Sequence, residues 1–321
     1  MNLWAFIGER LCAGIPVQLL WVVSSEGSSP GRKGFRMAVS ADGALYGTIG
    51  GGIMEHKLVE LARSRFPEMP FPPILIRQFH DTTHAQERSG MICSGSQVIA
   101  LVPLHHAMLH FIDGIVAGQA GFARFGPSGF QVLSAATPSF RYVDETDWDY
   151  TEAIDQRHLI HIIGGGHVSL ALSELLSYLG FDITVYDNRP GLNTLEQNKF
   201  AKEKVLVDYG SLGSHILGGP NEGLVIMTVG YRDDKLAFRQ LFDKPVFYAG
   251  MMGSEQKIAT LLRELQDEGL DPATWKHWFM PIGLPIFSKT TQEIAVSIAA
   301  QVIREKNKDL STGRTKTELM P

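Results

Sequence analysis

Cysteine is scarce in this chain: Cys12 and Cys93 are the only two in 321 residues. A disulfide framework is excluded as the source of stability, and the composition suits a reducing, cytoplasmic setting. An excess of basic charge is missing as well. The net charge is −5, so no cationic surface gathers nucleic acid or anionic lipid without specificity, and neither is expected as a partner. Long uncharged runs are absent: Glu9 and Arg10 interrupt the apolar N-terminal stretch. No segment reaches the roughly 20 residues of a membrane helix, and neither a secretory leader nor a membrane partner is expected. Hydrolytic machinery is missing too, with no G-x-S-x-G elbow, kinase motif set, Walker A loop or H-E-x-x-H helix in the sequence.

What is present is ordinary globular material, 44% hydrophobic and 20% charged, in a length that suits about two domains. "IPVQLLWVVSS" (15–25) reads as a buried strand, and "FRMAVSADGALYGTIG" as a hairpin turning at Asp42 and Gly43. "IMEHKLVELARSRF" has the apolar face of an amphipathic helix. Strands at 73–79 and 96–104, a helix at 107–118, and β character in "GFARF" and "FQVLSA" complete an N-terminal mixed α+β domain over 1–138. Residues 139–157, "SFRYVDETDWDYTEAIDQR", are polar and acidic and are expected to form a linker. Strand and helix patterns then alternate over 158–306, which predicts an α/β fold with a Rossmann-like, doubly wound parallel sheet. Its last helix opens with Thr290 and Glu293 in capping-box spacing. Residues 307–321 are expected to be a polar tail.

Three glycine-rich junctions carry the candidate chemistry. In "IIGGGHVSLA" a strand leads through Gly164-x-Gly166-x-x-Ser169 into a helix, and Asp187 closes the next strand. Such glycines allow a tight turn and close approach of phosphate to the helix N-terminus, while the acid accepts from a ribose hydroxyl. Gly164, Gly166, His167, Asp187 and Arg189 are therefore candidate contacts for NAD(P) or another nucleotide, with Ser169 in place of the third glycine. In "YAGMMGSEQKIATLL", Gly253 frees a backbone N–H, Ser254 can cap the helix, and Lys257 can face an anion. In "GTIGGGIMEH" consecutive Gly50, Gly51 and Gly52 pose the question of what approaches so closely that no side chain fits. His80, Asp81, His84 and Cys93 are metal-type residues, but the "HDTTH" stretch reads as a solvated polar loop. Cys93, in a glycine-flanked loop, is open to two readings, an accessible thiol or a small buried apolar residue. Cys12, in an apolar N-terminal segment, reads as structural or inert.

The N-terminal "EGSSPGRKGFRMAVSADGALYGTIGGGIMEHKLVE" combines a G-S-S-P segment with a G-T-I-G-G-G-x-x-E turn. Further along stand "IIGGGHVSLALSELLSYLGFDITVYDNRP", "YAGMMGSEQKIATLLREL" and "PIGLPIFSKTTQEIAVSIAAQVI". In this order the stretches resemble the XdhC/CoxI family, accessory factors for xanthine dehydrogenase and carbon monoxide dehydrogenase. The resemblance implies a chaperone rather than an enzyme. Such a protein binds the molybdenum cofactor (molybdopterin), protects it while its terminal sulfur is installed, and hands it to a molybdenum hydroxylase apo-enzyme. A cysteine desulfurase-type sulfurase is the second implied partner, and a homodimer is left open. The implied cofactor contacts are Ser28, Ser29, Gly50, Gly51, Gly52, Glu55 and Cys93, with Cys93 also the implied metal ligand. Ile53 stands where family members often carry cysteine, and Cys93-Ser94-Gly95 replaces their C-G-G. Val229 and Tyr231 stand where histidines are usual, while Asp234 is kept; "GLPIFSK" replaces G-L-D-I-G-A. The alternatives are an NAD(P)-dependent oxidoreductase, from the glycine loop and Asp187, and a ligand-free scaffold docking a sulfurase to its client.

Overall fold

Val17–Val23 is apolar but for Gln18, and in the computed structural model this run lies at the centre of a sheet covered on both faces. The structure describes residues 2–27, 29–79, 95–117, 121–154 and 157–312. The chain divides into two units, Met1–Gln156 and Arg157–Pro321. In the first, α1 (Leu3–Cys12) is followed by β1 (Val17–Gly27), β2 (Arg36–Ser40), β3 (Leu45–Gly47), α2 (Gly52–Ser64), β4 (Ile74–Phe79) and β5 (Gly95–Leu104). The strands pair antiparallel in the order β3-β2-β1-β5-β4. The expected hairpin at Asp42 and Gly43 is the β2–β3 pair, with Ala38 opposite Tyr46. Side chains alternate across β1: Leu20 and Val22 meet Leu58, Val59 and Ala62 of α2, whereas Leu19, Trp21 and Val23 face the other way.

That other face is closed by α1, by α3 (Leu109–Val116) and by a second antiparallel sheet. The second sheet comprises β6 (Gly121–Gly126), β7 (Gly129–Leu133), β8 (Ser139–Asp144) and β9 (Asp147–Ile154), in the order β7-β6-β9-β8. Residues 139–154, expected within a linker, are thus two strands of the core. The reason lies in their alternation. Trp148, Tyr150 and Ile154 are buried with Trp21 and Phe125. On the opposite side, Asp147 meets Arg141 at 2.6 Å and Asp149 meets Arg124 at 3.1 Å. Glu152 disguises the pattern, because it is a half-buried acid at an inward position. Its Oε2 accepts from Trp21 Nε1 at 2.6 Å and from the Tyr150 hydroxyl at 2.7 Å.

The second unit alternates strand and helix: β10 (Leu159–Ile163), α4 (His167–Tyr178), β11 (Asp182–Asp187), α5 (Asn193–Glu196), β12 (Glu203–Leu206), α6 (Leu212–His215), β13 (Glu222–Ile226), α7 (Tyr231–Leu241), β14 (Tyr248–Met251), α8 (Glu255–Asp267) and α9 (Thr291–Thr312). The sheet is parallel, in the order β12-β11-β10-β13-β14. The chain leaves β10 to one side and later returns to its other side at β13. The crevice past the carboxyl ends of these two strands is the switch point where open α/β sheets bind ligands. α4 and α9 cover one face of the sheet, and α6, α7 and α8 the other.

The capping box forms as expected, Glu293 N donating to Thr290 Oγ1 at 3.2 Å and Thr290 N to Glu293 Oε2 at 2.9 Å. The helix it starts continues through residues 307–312, which were expected in the tail. The polar sequence there holds no glycine or proline before Gly313, and lysine and leucine favour helix. Residues 313–321 lie outside the described residues. Among the described residues, no helix is long and apolar enough to cross a membrane.

If 139–154 belongs to the core, Trp148→Ala should cost about 3–5 kcal/mol of unfolding free energy. A solvated linker would change by no more than about 0.5 kcal/mol. Urea unfolding of the full chain, followed by circular dichroism, separates the two.

Candidate functional site

The three glycines at 50–52 take positive φ values of 124°, 75° and 74°. A Cβ on Gly50 would stand 2.5 Å from Gly31 N and 2.7 Å from Pro30 C. A Cβ on Gly31 would in turn stand 2.2 Å from Ile49 O. What presses on this turn is therefore the chain's own Pro30–Gly31 loop, backbone against backbone. Ser29 is buried beside it and donates to Gln97 Oε1 at 2.9 Å, while Gln97 Nε2 donates to Gln78 Oε1 at 2.7 Å. Glu55 closes the turn from below. Its Oε2 accepts from Thr48 Oγ1 at 2.6 Å, Ile49 N at 2.9 Å and Gly51 N at 3.0 Å. The nest that an anionic ligand would use is occupied at these positions by a carboxylate of the chain.

Openness returns at the start of α2. No atom of the described residues lies within 4 Å of where a Cβ on Gly51 would stand. Gly51 offers no side-chain cap to the first turn of α2, and Ile53 next to it is 57% exposed. Ser28, Cys93, His80, Asp81 and His84 lie outside the described residues. Among the described residues, no group of three His, Cys, Asp or Glu could hold a metal ion. Cys12, expected to be structural, is exposed at the end of α1.

In the second unit the glycine loop joins β10 to α4. Gly164 has φ 107°, and a Cβ there would stand 2.4 Å from Met227 O, so the crossing of the β10 and β13 ends requires glycine. Gly165 N donates to Asp187 Oδ2 at 2.7 Å. Gly166 precedes α4 without a side-chain cap, and no atom of the described residues lies within 4 Å of a Cβ built on it. The first-turn N–H groups of α4 thus keep their partial positive charge for whatever enters.

Asp187 is fully buried. Besides the bond from Gly165, its Oδ2 accepts from Arg189 Nη2 at 2.7 Å; its Oδ1 accepts from Arg189 N and Arg189 Nε, both at 2.9 Å. A carboxylate has about four acceptor positions, and these bonds take them all. Burial pushes this carboxyl up, but the hydrogen bonds from Arg189 and from the N–H groups of Gly165 and Arg189 outweigh it and hold it below the usual carboxylate range. The same pairing raises Arg189. The acid predicted to accept from a ribose instead anchors a cation, whose side chain remains 39% exposed.

Gly166, His167, Ser169, Arg189, Thr194 and Thr228 are among the residues that wall a cavity of about 440 Å³, with Leu192, Met227, Val229 and Met252 as apolar lining. Of the expected residues, Gly166, His167 and Arg189 meet here, and no carboxylate stands in the wall formed by the described residues. The cavity can hold an anion; it offers no acid beyond His167 for proton transfer. Gly253, Ser254 and Lys257 are not in this wall. Ser254 caps α8 by accepting from Lys257 N at 3.3 Å, as expected. Lys257 Nζ is bonded to the buried Asp234. Asp234 also accepts from Thr228 Oγ1 at 2.6 Å and Thr228 N at 3.2 Å, fixing the turn after β13. The only sequence signal for this scaffold role of Asp234 is its spacing from Thr228. Two further wall residues escape sequence reasoning: Ser169, visible only as a missing glycine, and Thr194, whose hydroxyl donates to Gly165 O at 2.5 Å.

The sequence matches the XdhC and CoxI family over residues 11–69 and the XdhC Rossmann domain over residues 160–302. It is 26% identical over 313 residues to YqeB of Escherichia coli K12, covering 96% of this chain and 47% of that protein. It is 23% identical over 225 residues to a Bacillus subtilis protein that is named as a probable subunit of xanthine dehydrogenase, covering 70% of this chain and 66% of that one. The chain thus spans about half the length of the first relative and about two thirds of the second. A crystal structure from Bacillus halodurans, described as a xanthine dehydrogenase, shares the fold with a TM-score of 0.72 at 23% identity, over 98% of both chains.

Two outcomes follow from the loop-anchoring acids. Glu55→Ala removes the shared acceptor of the triglycine turn and should cost about 1–2 kcal/mol, as the loss of a helix cap does; thermal unfolding checks it. Asp187→Asn should cost about 1–2 kcal/mol at neutral pH, because it weakens the buried hydrogen bonds from Gly165 and Arg189 while the guanidinium, 39% exposed, can turn to water. The folded pKa of Asp187 is depressed, so its contribution is complete above the unfolded value of about 3.9 and is lost as pH falls through the folded value. The gap between variant and wild type should therefore narrow on acidification, read from urea midpoints across a pH series.

Proposed function

The chain belongs to the XdhC and CoxI family, and on that premise we propose that it is an accessory protein for a xanthine dehydrogenase-type molybdenum hydroxylase. In this reading it binds the molybdenum cofactor in the cytoplasm and delivers it to the apo-enzyme after a cysteine desulfurase-type sulfurase has acted. The name of the Bacillus subtilis relative, which makes it a probable part of a xanthine dehydrogenase, supports the client class.

The observation that carries the cofactor reading is the cavity past β10 and β13. Molybdopterin bears a phosphate, and the residues present suit it: Arg189 is a fixed cation, the first turn of α4 is uncapped, and among the described residues the wall holds hydroxyls and no carboxylate. Arg189, Ser169 and the backbone at His167 would hold that phosphate. The open face at Gly51, beside the uncapped start of α2, is a second place where a flat ring can approach the backbone. Cys93 is proposed as the thiolate contact to molybdenum, a soft ligand for that metal. When bound, the cofactor supplies the redox chemistry of the client; the residues of this chain bind, orient and shield it.

An NAD(P)-dependent oxidoreductase fits the same geometry less well. It needs a free acceptor for a ribose hydroxyl and a group to move a proton, whereas Asp187 is saturated and, among the described residues, the cavity wall carries His167 alone as a proton-transfer group.

The full chain, expressed in cells that make the cofactor and purified anaerobically, should carry pterin and molybdenum in comparable amounts. Gly51→Val puts a side chain on the open face and strains a backbone held at φ 75° by about 1–3 kcal/mol; in preparations whose circular dichroism matches wild type it should lower that content. A wild-type preparation free of both, or one that forms NADH from a small alcohol or hydroxy acid, would overturn the reading.

A further inference from the structure

One polar atom at the cavity is unexplained by the fold. Ser169 is 1% exposed, and its hydroxyl has no hydrogen-bond partner among the described residues. A serine inside a helix ordinarily bonds back to the carbonyl four residues earlier. Here that carbonyl is Gly165 O, which lies before the N-cap Gly166 and accepts from the Thr194 hydroxyl at 2.5 Å, and Ser169 Oγ makes no bond to it. A buried hydroxyl left unpaired costs stability, and such groups call for a partner from outside the chain. Ser169, in the first turn of α4, lines the cavity together with the uncapped Gly166 and with Arg189. It also stands where a dinucleotide fingerprint has its third glycine, kept small for helix–strand packing rather than for polarity.

The second observation is the state of Asp187. With its acceptor positions filled by Gly165 and Arg189, it cannot take a ribose hydroxyl unless Arg189 is displaced. The pairing uses Nε and one hydrogen of Nη2 and leaves the remaining guanidinium donors of Arg189 outside it. An arginine near the acid at the end of the second strand is also the arrangement that accommodates a phosphate in place of a ribose hydroxyl.

We propose that this cavity is a phosphomonoester site, in which Arg189, the Ser169 hydroxyl and the first-turn N–H groups of α4 bind a terminal phosphate dianion, and that it discriminates against ligands recognised through a free ribose 2′-hydroxyl. The inference rests on reading this cavity as the ligand site, and it specifies what that site selects. The phosphate can come from two sources, the terminal phosphate of molybdopterin or the 2′-phosphate of a dinucleotide.

The test is fluorescence titration of the full chain with four probes: an oxidised, fluorescent molybdopterin derivative before and after phosphatase treatment, NADPH, and NADH. The phosphorylated member of at least one pair should bind about tenfold tighter than its partner, as one charge-assisted contact allows. Arg189→Met should erase that preference. Because this variant leaves Asp187 buried without its cation, Ser169→Ala keeps the test open if it fails to fold. Ser169→Ala should shrink the phosphate preference several-fold and at the same time raise the thermal midpoint of the ligand-free protein, since it removes an unpaired buried hydroxyl. A merely structural serine would lower the midpoint and leave affinities unchanged, and that result overturns the proposal. So does binding that ignores phosphatase treatment together with NADH binding as tightly as NADPH, or no binding of any probe. Phosphate-dependent binding of NADPH alone would sustain the phosphate site and count against the cofactor carrier. Pterin co-purifying in wild type but binding independently of its phosphate would do the reverse.

Discussion

The geometry of the C-terminal site depends on one saturated carboxylate. Asp187 is buried at the end of β11, and its bonds to Gly165 and Arg189 tie the glycine loop after β10 to the neighbouring strand. Taking a carboxylate out of water is costly unless every acceptor is met. Meeting them here consumes two edges of the site at once. The loop gains a fixed path into α4, and the guanidinium gains a fixed direction. The α4 N-terminus and Arg189 then face a common cavity.

The same solution recurs at the other glycine-rich turns. Glu55 satisfies the N–H groups of Ile49 and Gly51, and Asp234 satisfies Thr228 and holds Lys257. In each case a carboxylate supplied by the chain fills the donors of a tight turn. Each acid is therefore scaffold, and the groups left for a ligand are those the acids do not use. These are the guanidinium edge of Arg189, the uncapped first turns of α2 and α4, and the Ser169 hydroxyl.

The same division separates what is legible in the sequence from what is not. The parallel sheet, the hairpin at Asp42 and Gly43, the cap at Ser254 and the box at Thr290 and Glu293 are legible, because each depends on residues near in sequence. So is the loop Gly164–Gly166. Partners distant in sequence are not. Nothing local in "GTIGGG" says that Pro30 and Gly31 press on Gly50, and nothing local in "YDNRP" says that Gly165 N donates to Asp187. β8 and β9 read as a linker when charge is weighed above alternation, and the one inward acid, Glu152, is paired with an indole far away at Trp21. Ser169 is visible as a departure from a fingerprint, but its lack of a partner is a property of packing alone.

If acids build these turns, then the cation and the helix N-terminus beside them receive the ligand, and a crystal structure of the full chain with a phosphate-bearing pterin or NADPH decides it. Phosphate oxygens should lie within hydrogen-bond distance of Arg189 and of Ser169 Oγ, with the Asp187–Arg189 pair intact. A ribose hydroxyl bonded to Asp187, with Arg189 swung away and Ser169 still unpaired, would contradict the assignment.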